Sequence, residues 1–586
     1  MKKKFISVLF LVLAVFSASA YTNNAIVFDP DDPIYEDMDA LYTDASLVRP
    51  STKRPWSEGE VRMMLKRVDV TSLSEYGEKL YRKIEDKVDS GLRWNFGEDL
   101  GINVGFDTTA EMYAHTNGDM FTTEYDWEKT YDERKSFMKL YVEFTSCDNF
   151  YTTCDLHFRH NRVDRLDTFT EYSSVSADGR LTSDGYVGSY QLETKDENGK
   201  ITSSALYYIS RSNQFASTFM TNIFFDTTHY SFIWPRRAVF SLGGNNWNFS
   251  ISRDRLELGN GRFSNLLVDD HTFSDYARLT FFSNFFKYDF VMLFLNSVIS
   301  SGEQMNEEGR VYLIHTLEFR VLDRVSFTLS ENVMYRYRTL DLEYINPSFI
   351  YHNLNNRSMF NALAYLDVNV LITKGFEFYG QLAIDQAQAP NEDDSQTSSY
   401  GITGGLQYTK NFTEGSLGFY AEYTKTTPML YRRDQVDFIR NTRYNAINGT
   451  AYFVNCFDYV GFTYGSDCRM LELNLKYTST RNWNTELFCR FVEKGEVNIY
   501  TSHNSSGRNS DWANLRGDTP YGDNITYFMV AGIRGNADLE AIFSWPGISF
   551  EVELDWVSRF VYTKSTGEKT DGQNDLQLTA SVTVAL

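Results

Sequence analysis

Proline is scarce over most of this chain. Of the 10 prolines in 586 residues, Pro30, Pro33, Pro50 and Pro55 fall before residue 56, which leaves six for the remaining 531 positions. Proline cannot donate to a β-ladder and is kept out of central strands, so this shortage leaves room for a very large sheet. Long apolar runs are also missing. Beyond the first 20 residues the longest clear one is the six residues from Phe290 to Leu295, against the ~18 that a helical span needs. A helical membrane protein is excluded. Basic residues are outnumbered, with Lys+Arg 56 against Asp+Glu 78 and a net charge of −22. Phosphate binding needs clustered Lys and Arg, so nucleic acid is excluded as a partner. Only five cysteines occur, Cys147, Cys154, Cys456, Cys468 and Cys489, and none forms a C-x-x-C pair. That argues against zinc and thioredoxin-like sites. The pairs 147/154 and 456/468 lie close enough to staple loops or neighbouring strands, with reduced buried thiols as the alternative.

What the chain does have begins with an export signal. Met1-Lys2-Lys3-Lys4 is a basic start, Phe5 to Phe16 is apolar, and Ala18-Ser19-Ala20 is a small-x-small cleavage site. Cleavage after Ala20 is expected, and no nearby cysteine offers a lipid anchor. Losing three lysines and no acids takes the net charge of the mature 566 residues from −22 to −25. Residues 21–90 then read as a small periplasmic helical region. Ser57-Glu58-Gly59-Glu60 is a capping box ahead of Val61, Met64 and Leu65, and Ser72-Leu73-Ser74-Glu75 reads as a second. Leu80, Ile84 and Val88 come after the latter as one apolar stripe. Tyr35 to Leu47 suggests a third, weaker helix. Three such helices are expected to bury little alone and to pack on the larger C-terminal domain.

From about residue 92 the period changes to two. Leu100, Ile102, Val104 and Phe106 alternate with Gly101, Asn103, Gly105 and Asp107. At the end, Leu576, Leu578, Ala580, Val582, Val584 and Leu586 alternate with Gln577, Thr579, Ser581 and Thr583. Such strands have one apolar and one polar face. The runs are about 9 to 13 residues long, enough to cross a bilayer at a tilt. Short connections such as Thr373-Lys374-Gly375 and Thr413-Glu414-Gly415 contrast with long polar ones at 161–203, 387–400, 425–448, 495–523 and 562–574. Short turns on one rim and long loops on the other mark an outer-membrane barrel. Residues 91–586 are therefore expected to form an all-β, transmembrane antiparallel barrel of 16–18 strands, in the bacterial outer membrane.

Three segments resemble the Wzi-like capsule-assembly barrels. The first runs from Ser252-Arg253-Asp254-Arg255-Leu256-Glu257-Leu258-Gly259-Asn260-Gly261 to Leu266-Leu267-Val268-Asp269-Asp270. The second is Tyr379-Gly380-Gln381-Leu382-Ala383-Ile384-Asp385. The third is Tyr464-Gly465-Ser466-Asp467, leading into Met470 and Leu471. Arg54-Pro55-Trp56-Ser57 is similar to the start of that family's helical region. The order of these segments fits nearly the whole mature chain. The resemblance implies 18 strands, helices at the periplasmic end and a role in holding surface polysaccharide.

Candidate ligand-binding residues come from these segments and from the loops. Arg253 and Arg255, flanking Asp254, read either as a site for acidic sugars on a lumen-facing strand or as a salt-bridge ladder bracing a wide barrel. Asp269, Asp270 and Asp385 offer oxygens to a hard cation, but no EF-hand spacing surrounds them, so no metal is assigned. Tyr464 and Trp512 are loop aromatics suited to stacking on sugar rings. His157-Phe158-Arg159-His160 is not a metal pair, because strand residues three apart face opposite ways. Gly-x-Ser-x-Gly and His-Glu-x-x-His are absent, and neither an enzyme nor a cofactor is expected. The leading expectation is a monomeric barrel that retains surface polysaccharide or glycolipid, among outer-membrane lipids and after delivery by the barrel-assembly machinery. The alternative is a general diffusion porin that prefers cations.

Overall fold

The computed structural model describes residues 23–96, 100–122, 124–160, 188–195, 197, 201–209, 213–223, 230–296, 309–337, 346–348, 360–386, 398–432, 436–445, 452–499, 518–543 and 545–586. The leader reading over 1–20 and the candidate Trp512 lie outside the described residues. Eighteen antiparallel strands close into one barrel. In chain order they begin with β1 (Leu100–His115), β2 (Met138–Ser146), β3 (Phe150–His160), β4 (Ala238–Gly244), β5 (Trp247–Asp254) and β6 (Ser274–Phe282). The wall continues through β7 (Phe286–Leu295), β8 (Gly309–Val321), β9 (Val325–Tyr337), β10 (Phe360–Thr373), β11 (Phe376–Gln386) and β12 (Ser399–Phe412). It ends with β13 (Gly415–Thr426), β14 (Cys468–Ser479), β15 (Trp483–Lys494), β16 (Asn524–Asp538), β17 (Ile548–Thr563) and β18 (Gln573–Ala585).

Closure is made by β18 on β1, from Gln577↔His115 to Ala585↔Asp107. Leu586 joins it, its N–H donating to the Phe106 carbonyl at 2.9 Å. The alternation read from the sequence maps onto the two faces. Leu366, Leu406, Leu473, Leu554 and Leu576 are exposed on the outside, while their neighbours Asp367, Gln407, Glu472, Glu553 and Gln577 are buried within. An apolar outer band matches hydrocarbon, and a polar inner face is permitted because lipid never reaches it. One rim carries the short turns. At Gly375, φ is +78° and a Cβ would sit 2.1 Å from the Thr409 carbonyl oxygen, so only glycine fits there.

The chain before the barrel forms α1 (Ile34–Asp44), α2 (Glu58–Leu65) and α3 (Glu75–Asp89). The Ser57/Glu60 capping box is present. The second expected box is displaced by two residues. Ser74 rather than Ser72 caps α3, accepting from the Gly77 N–H, and Val70–Ser72 is a short 3₁₀ turn. The expectation that these helices bury little alone is corrected. Phe28, Met38, Leu41, Trp56, Val61, Leu80, Ile84 and Val88 share one buried cluster drawn from this region alone. The helices meet the short-turn rim, where the Val48 N–H donates to the Asp323 carbonyl at 2.7 Å.

Beyond the long-loop rim, Gly188–Lys195, Ile201–Ile209, Ile439–Asn445 and Tyr452–Tyr459 make a separate four-stranded sheet. The loop staples between cysteines do not form. Cys147, Cys154 and Cys468 are free thiols, and so is Cys489.

Candidate functional site

Two segments enter the lumen from opposite ends. From the helical end, residues 49–57 thread inward as an extended arm. Lys53 meets Asp367 of β10 at 2.6 Å, with both side chains 1% exposed. Arg49 donates from Nε to Asn369 at 2.9 Å and pairs with Glu377 of β11 at 3.3 Å. Ser51 donates to Glu318 of β8 at 2.7 Å. Arg278 and Lys287 of the wall donate in turn to the carbonyls of Pro55 and Lys53, at 2.7 and 2.9 Å. An isolated buried charge is expensive, so Arg49 and Lys53 rest against carboxylate or amide oxygens of the wall, and Arg54 pairs with Glu257 of the inward loop described next.

From the other end, the connection from β5 to β6 folds inward. The Arg262 N–H and the Ser264 hydroxyl donate to Glu422 of β13 at 2.6 and 2.7 Å. Gln381 of β11 clamps the same loop, donating to the Ser264 carbonyl at 2.8 Å and accepting from the Leu266 N–H at 2.9 Å. The two segments meet in an antiparallel pair, Lys53↔Leu258 and Arg54↔Glu257. Arg262 also reaches Asp39 of α1 at 2.5 Å. That guanidinium, with those of Arg54 and Arg49, holds the Asp39 carboxyl below its usual range despite its burial.

Above this junction the interior is apolar. Leu256, Leu266, Leu267 and Val268 of the inward loop pack with Tyr312, Ile314, Met334 and Leu363 of the wall, and with Leu430, Tyr431, Phe438, Val460 and Phe462. The Tyr431 hydroxyl donates to the Leu266 carbonyl at 2.7 Å, which satisfies the one polar atom that ring buries.

The opposite side of the lumen is ionic. Lys476, Glu486, Arg534 and Glu553 stand in cross-strand register from β14 to β17. Arg490 bridges Glu472 of β14 at 2.7 Å and Glu128 of the β1–β2 connection at 2.8 Å. In that connection Lys129 pairs with Glu551 at 2.7 Å, and the Arg134 guanidinium lies 4.2 Å from the Tyr113 ring and 4.6 Å from that of Phe215.

The sequence-derived candidates scatter across this arrangement. Arg253 does not face the lumen. It projects from the outer face and pairs with Asp275 through two bonds of 2.7 and 2.8 Å, while Asp254 is the inward residue and holds Arg237 at 3.0 Å. Ile251, exposed on the same face as Arg253, was the signal for this parity. Arg255 pairs with Asp31, ahead of α1. Asp269 is buried on the inward loop, and its carboxyl is pushed well above its usual range by burial and by Asp270 and Glu257. Asp385 lies on the inner face at the far end of β11. Tyr464 packs at a tilt against Phe462, with ring centroids 5.7 Å apart, and its hydroxyl accepts from Arg490 at 3.5 Å. His157 is occupied by Asp155 and Ser136, each at 2.7 Å. Sequence reasoning missed the residues that fill the lumen, namely Arg49, Lys53, Asp367, Gln381, Glu422 and Arg490.

The fold defines an outer-membrane β-barrel of 18 strands with a chain-filled interior. No family model matches the chain, and no curated protein matches its sequence. Among solved structures it is similar to Wzi, an outer membrane protein involved in group 1 capsule assembly in Escherichia coli and a carbohydrate-binding β-barrel. That likeness covers 96% of this chain and 99% of the other, at 10% identity and a TM-score of 0.53. OccAB4 of Acinetobacter baumannii matches over 83% of this chain and 98% of its own at 10% identity, with a TM-score of 0.37. OprD of Pseudomonas aeruginosa matches over 83% and 94% at 5% identity, also with a TM-score of 0.37. The Wzi-like fold expected from the sequence motifs is the one observed.

Proposed function

We propose that the protein is a non-enzymatic binding barrel that retains a polysaccharide or glycolipid at the bacterial surface. The observation that carries this reading is the meeting of arm and loop inside the wall, Lys53↔Leu258 and Arg54↔Glu257. A diffusion pore needs a continuous water path, whereas here two segments and their ion pairs occupy the barrel. The four-stranded sheet stands beyond the long-loop rim, the side on which a glycan would dock in this reading. The carbohydrate-binding role of Wzi, a protein of similar fold, supports the same reading. In this reading the chain works as a monomer, seated in lipid by the assembly machinery. Glycan-array binding by the purified protein tests it, together with surface-glycan retention by cells with and without the gene. Equal retention in the two strains rejects the reading.

A second reading has its own support. The inner wall of β15 to β17 carries Glu486, Glu551, Glu553 and Asp555 against Arg490, Arg534 and Arg559, so any residual conductance is expected to favour cations. Reversal potentials in a KCl gradient at low salt decide this. Equal passage of anions places the excess acid in the screened outer loops instead.

A further inference from the structure

On the ionic side of the lumen, water enters from the short-turn rim and stops at one level. Asn536 of β16, on the inner face near that rim, is exposed. Glu551 of β17 faces it in the register, and its side chain keeps 30% of its surface. One step further in, Glu553 and Asp555 of β17 and Thr579 of β18 are all buried. The β1–β2 connection closes the space between these levels. Its Lys129 and Lys135 both reach Glu551, each at 2.7 Å, so one carboxylate at the water's edge holds two points of the roof. The Lys135 N–H also donates to Glu111 and the Glu128 N–H to Gln577, at 2.6 and 2.9 Å, tying the same segment to β1 and β18.

Behind this roof the charges are unevenly matched. Glu128 and Glu472 share Arg490, and Glu486 holds Arg534. Glu553 and Asp555 are left over. Among the described residues neither accepts a hydrogen bond or closes an ion pair, and Asp555 Oδ1 is buried without a partner. Gly532 stands opposite Asp555 in the register and brings no side chain to it. Buried carboxylates in this condition destabilise the arrangement that encloses them, and contact with water relieves them. The closed roof therefore works against Glu553 and Asp555, and the two lysine bonds to Glu551 oppose that bias.

We propose that residues 127–136 form a displaceable roof, latched by Glu551, over a cation path along β16 to β18 in which Glu553 and Asp555 select the ions. Lifting the roof opens both carboxylates to the short-turn side, where an unpaired acidic wall concentrates cations. The junction of arm and loop stays in place, because it fills the other side of the lumen. The ion preference rests on the second reading above. The latch does not, and neither depends on glycan binding.

The test uses the full chain in nanodiscs, with thiol labelling by a cationic methanethiosulfonate reagent mapped by mass spectrometry. Thr579→Cys reports from behind the roof and Asn536→Cys from in front of it, with the exposed native Cys147 as the internal standard. Asn536→Cys should react at least twentyfold faster than Thr579→Cys. Glu551→Gln frees both lysines and should speed labelling at Thr579→Cys at least fivefold, with heat-modifiable gel mobility confirming that the barrel is intact. Glu553→Gln with Asp555→Asn removes the bias toward opening and should slow that labelling at least threefold. In the Glu551→Gln background the cationic reagent should outrun an anionic one of equal size at Thr579→Cys at least fivefold, an advantage that neutralising Glu553 and Asp555 should abolish. Equal labelling at Thr579→Cys in all backgrounds, or faster labelling once Glu553 and Asp555 are neutralised, would overturn the roof. Equal rates for the two reagents, with the response to Glu551→Gln intact, would overturn the ion selection and leave the latch standing.

Discussion

The two sides of the lumen fill the same kind of space by different means. Along β6 to β11, above the arm's ion pairs, the inner face meets an apolar loop, and Leu266, Tyr312, Ile314, Met334, Tyr431 and Phe438 pack as they would in a soluble core. Along β14 to β17 the inner face stays charged and is neutralised by a ladder of its own and by Glu128 and Lys129 from the β1–β2 connection. The outer wall is apolar on both sides because lipid dictates it; the inner wall has no such constraint. The apolar side depends on shape and the ionic side on pairing, so the two should fail in different ways.

The largest expected effect comes from removing the junction between arm and loop. Replacing residues 256–267 by a short Gly-Ser linker, with Arg49→Ala and Lys53→Ala, should turn a silent or weakly conducting barrel into one with steady conductance. A rise of at least tenfold in planar bilayers is expected. A variant as silent as the parent would show that the seal lies elsewhere.

Next come two substitutions that set the sides against each other. On the apolar side, Tyr431→Ala removes a ring that is 0% exposed and its bond to the Leu266 carbonyl. A loss of ~3–5 kcal/mol is expected, read as faster hydrogen exchange across 256–268 and 430–439. On the ionic side, Arg490→Met leaves Glu472 and Glu128 as buried carboxylates without their shared cation, which should cost ~3–5 kcal/mol. Replacing the whole triad, with Glu472→Leu and Glu128→Leu added, should recover most of that loss. No comparable rescue by added apolar residues exists for Tyr431→Ala. If the triple variant is no more stable than the single, the ionic side is held by more than pairing.

The wall was legible in the sequence and the filling was not, for a physical reason. Alternation is local: Leu576 to Leu586 declares an outer face within eleven residues. Capping is local too, and Ser57 with Glu60 was readable. The second box slipped because Asp69 makes its own 3₁₀ turn over Val70–Ser72, ending at Leu73 and leaving Ser74 to cap the helix. The lumen contacts are non-local. Lys53 and Asp367 lie 314 positions apart, and neither stands in a motif that names the other. Arg253 marks the border between the two cases. Its face was written in Trp247, Phe249 and Ile251, which alternate in step with it, but the charges around it invited a lumen reading. Tyr464 sits where a loop aromatic was expected, but packing, rather than display, explains its position.

The smallest effect concerns the helix that follows the arm and contrasts a buried carboxyl of the helical region with those of the lumen. Glu58, in the first turn of α2, is 3% exposed, and burial lifts its pKa to about 8 even though Arg62 lies 3.3 Å away. The folded helical region therefore holds this proton more tightly than the unfolded chain, where the value is near 4.5. Its contribution is complete below that value, declines as pH rises, and is gone above about 8. Opening of α2 and α3, followed by hydrogen exchange corrected for the intrinsic rate, should accelerate at least tenfold between pH 5 and pH 9. Glu58→Gln keeps the side chain neutral throughout and should flatten the profile, leaving the apolar and ionic sides of the lumen unchanged. A profile as steep in Glu58→Gln as in the parent would assign the titration to another group.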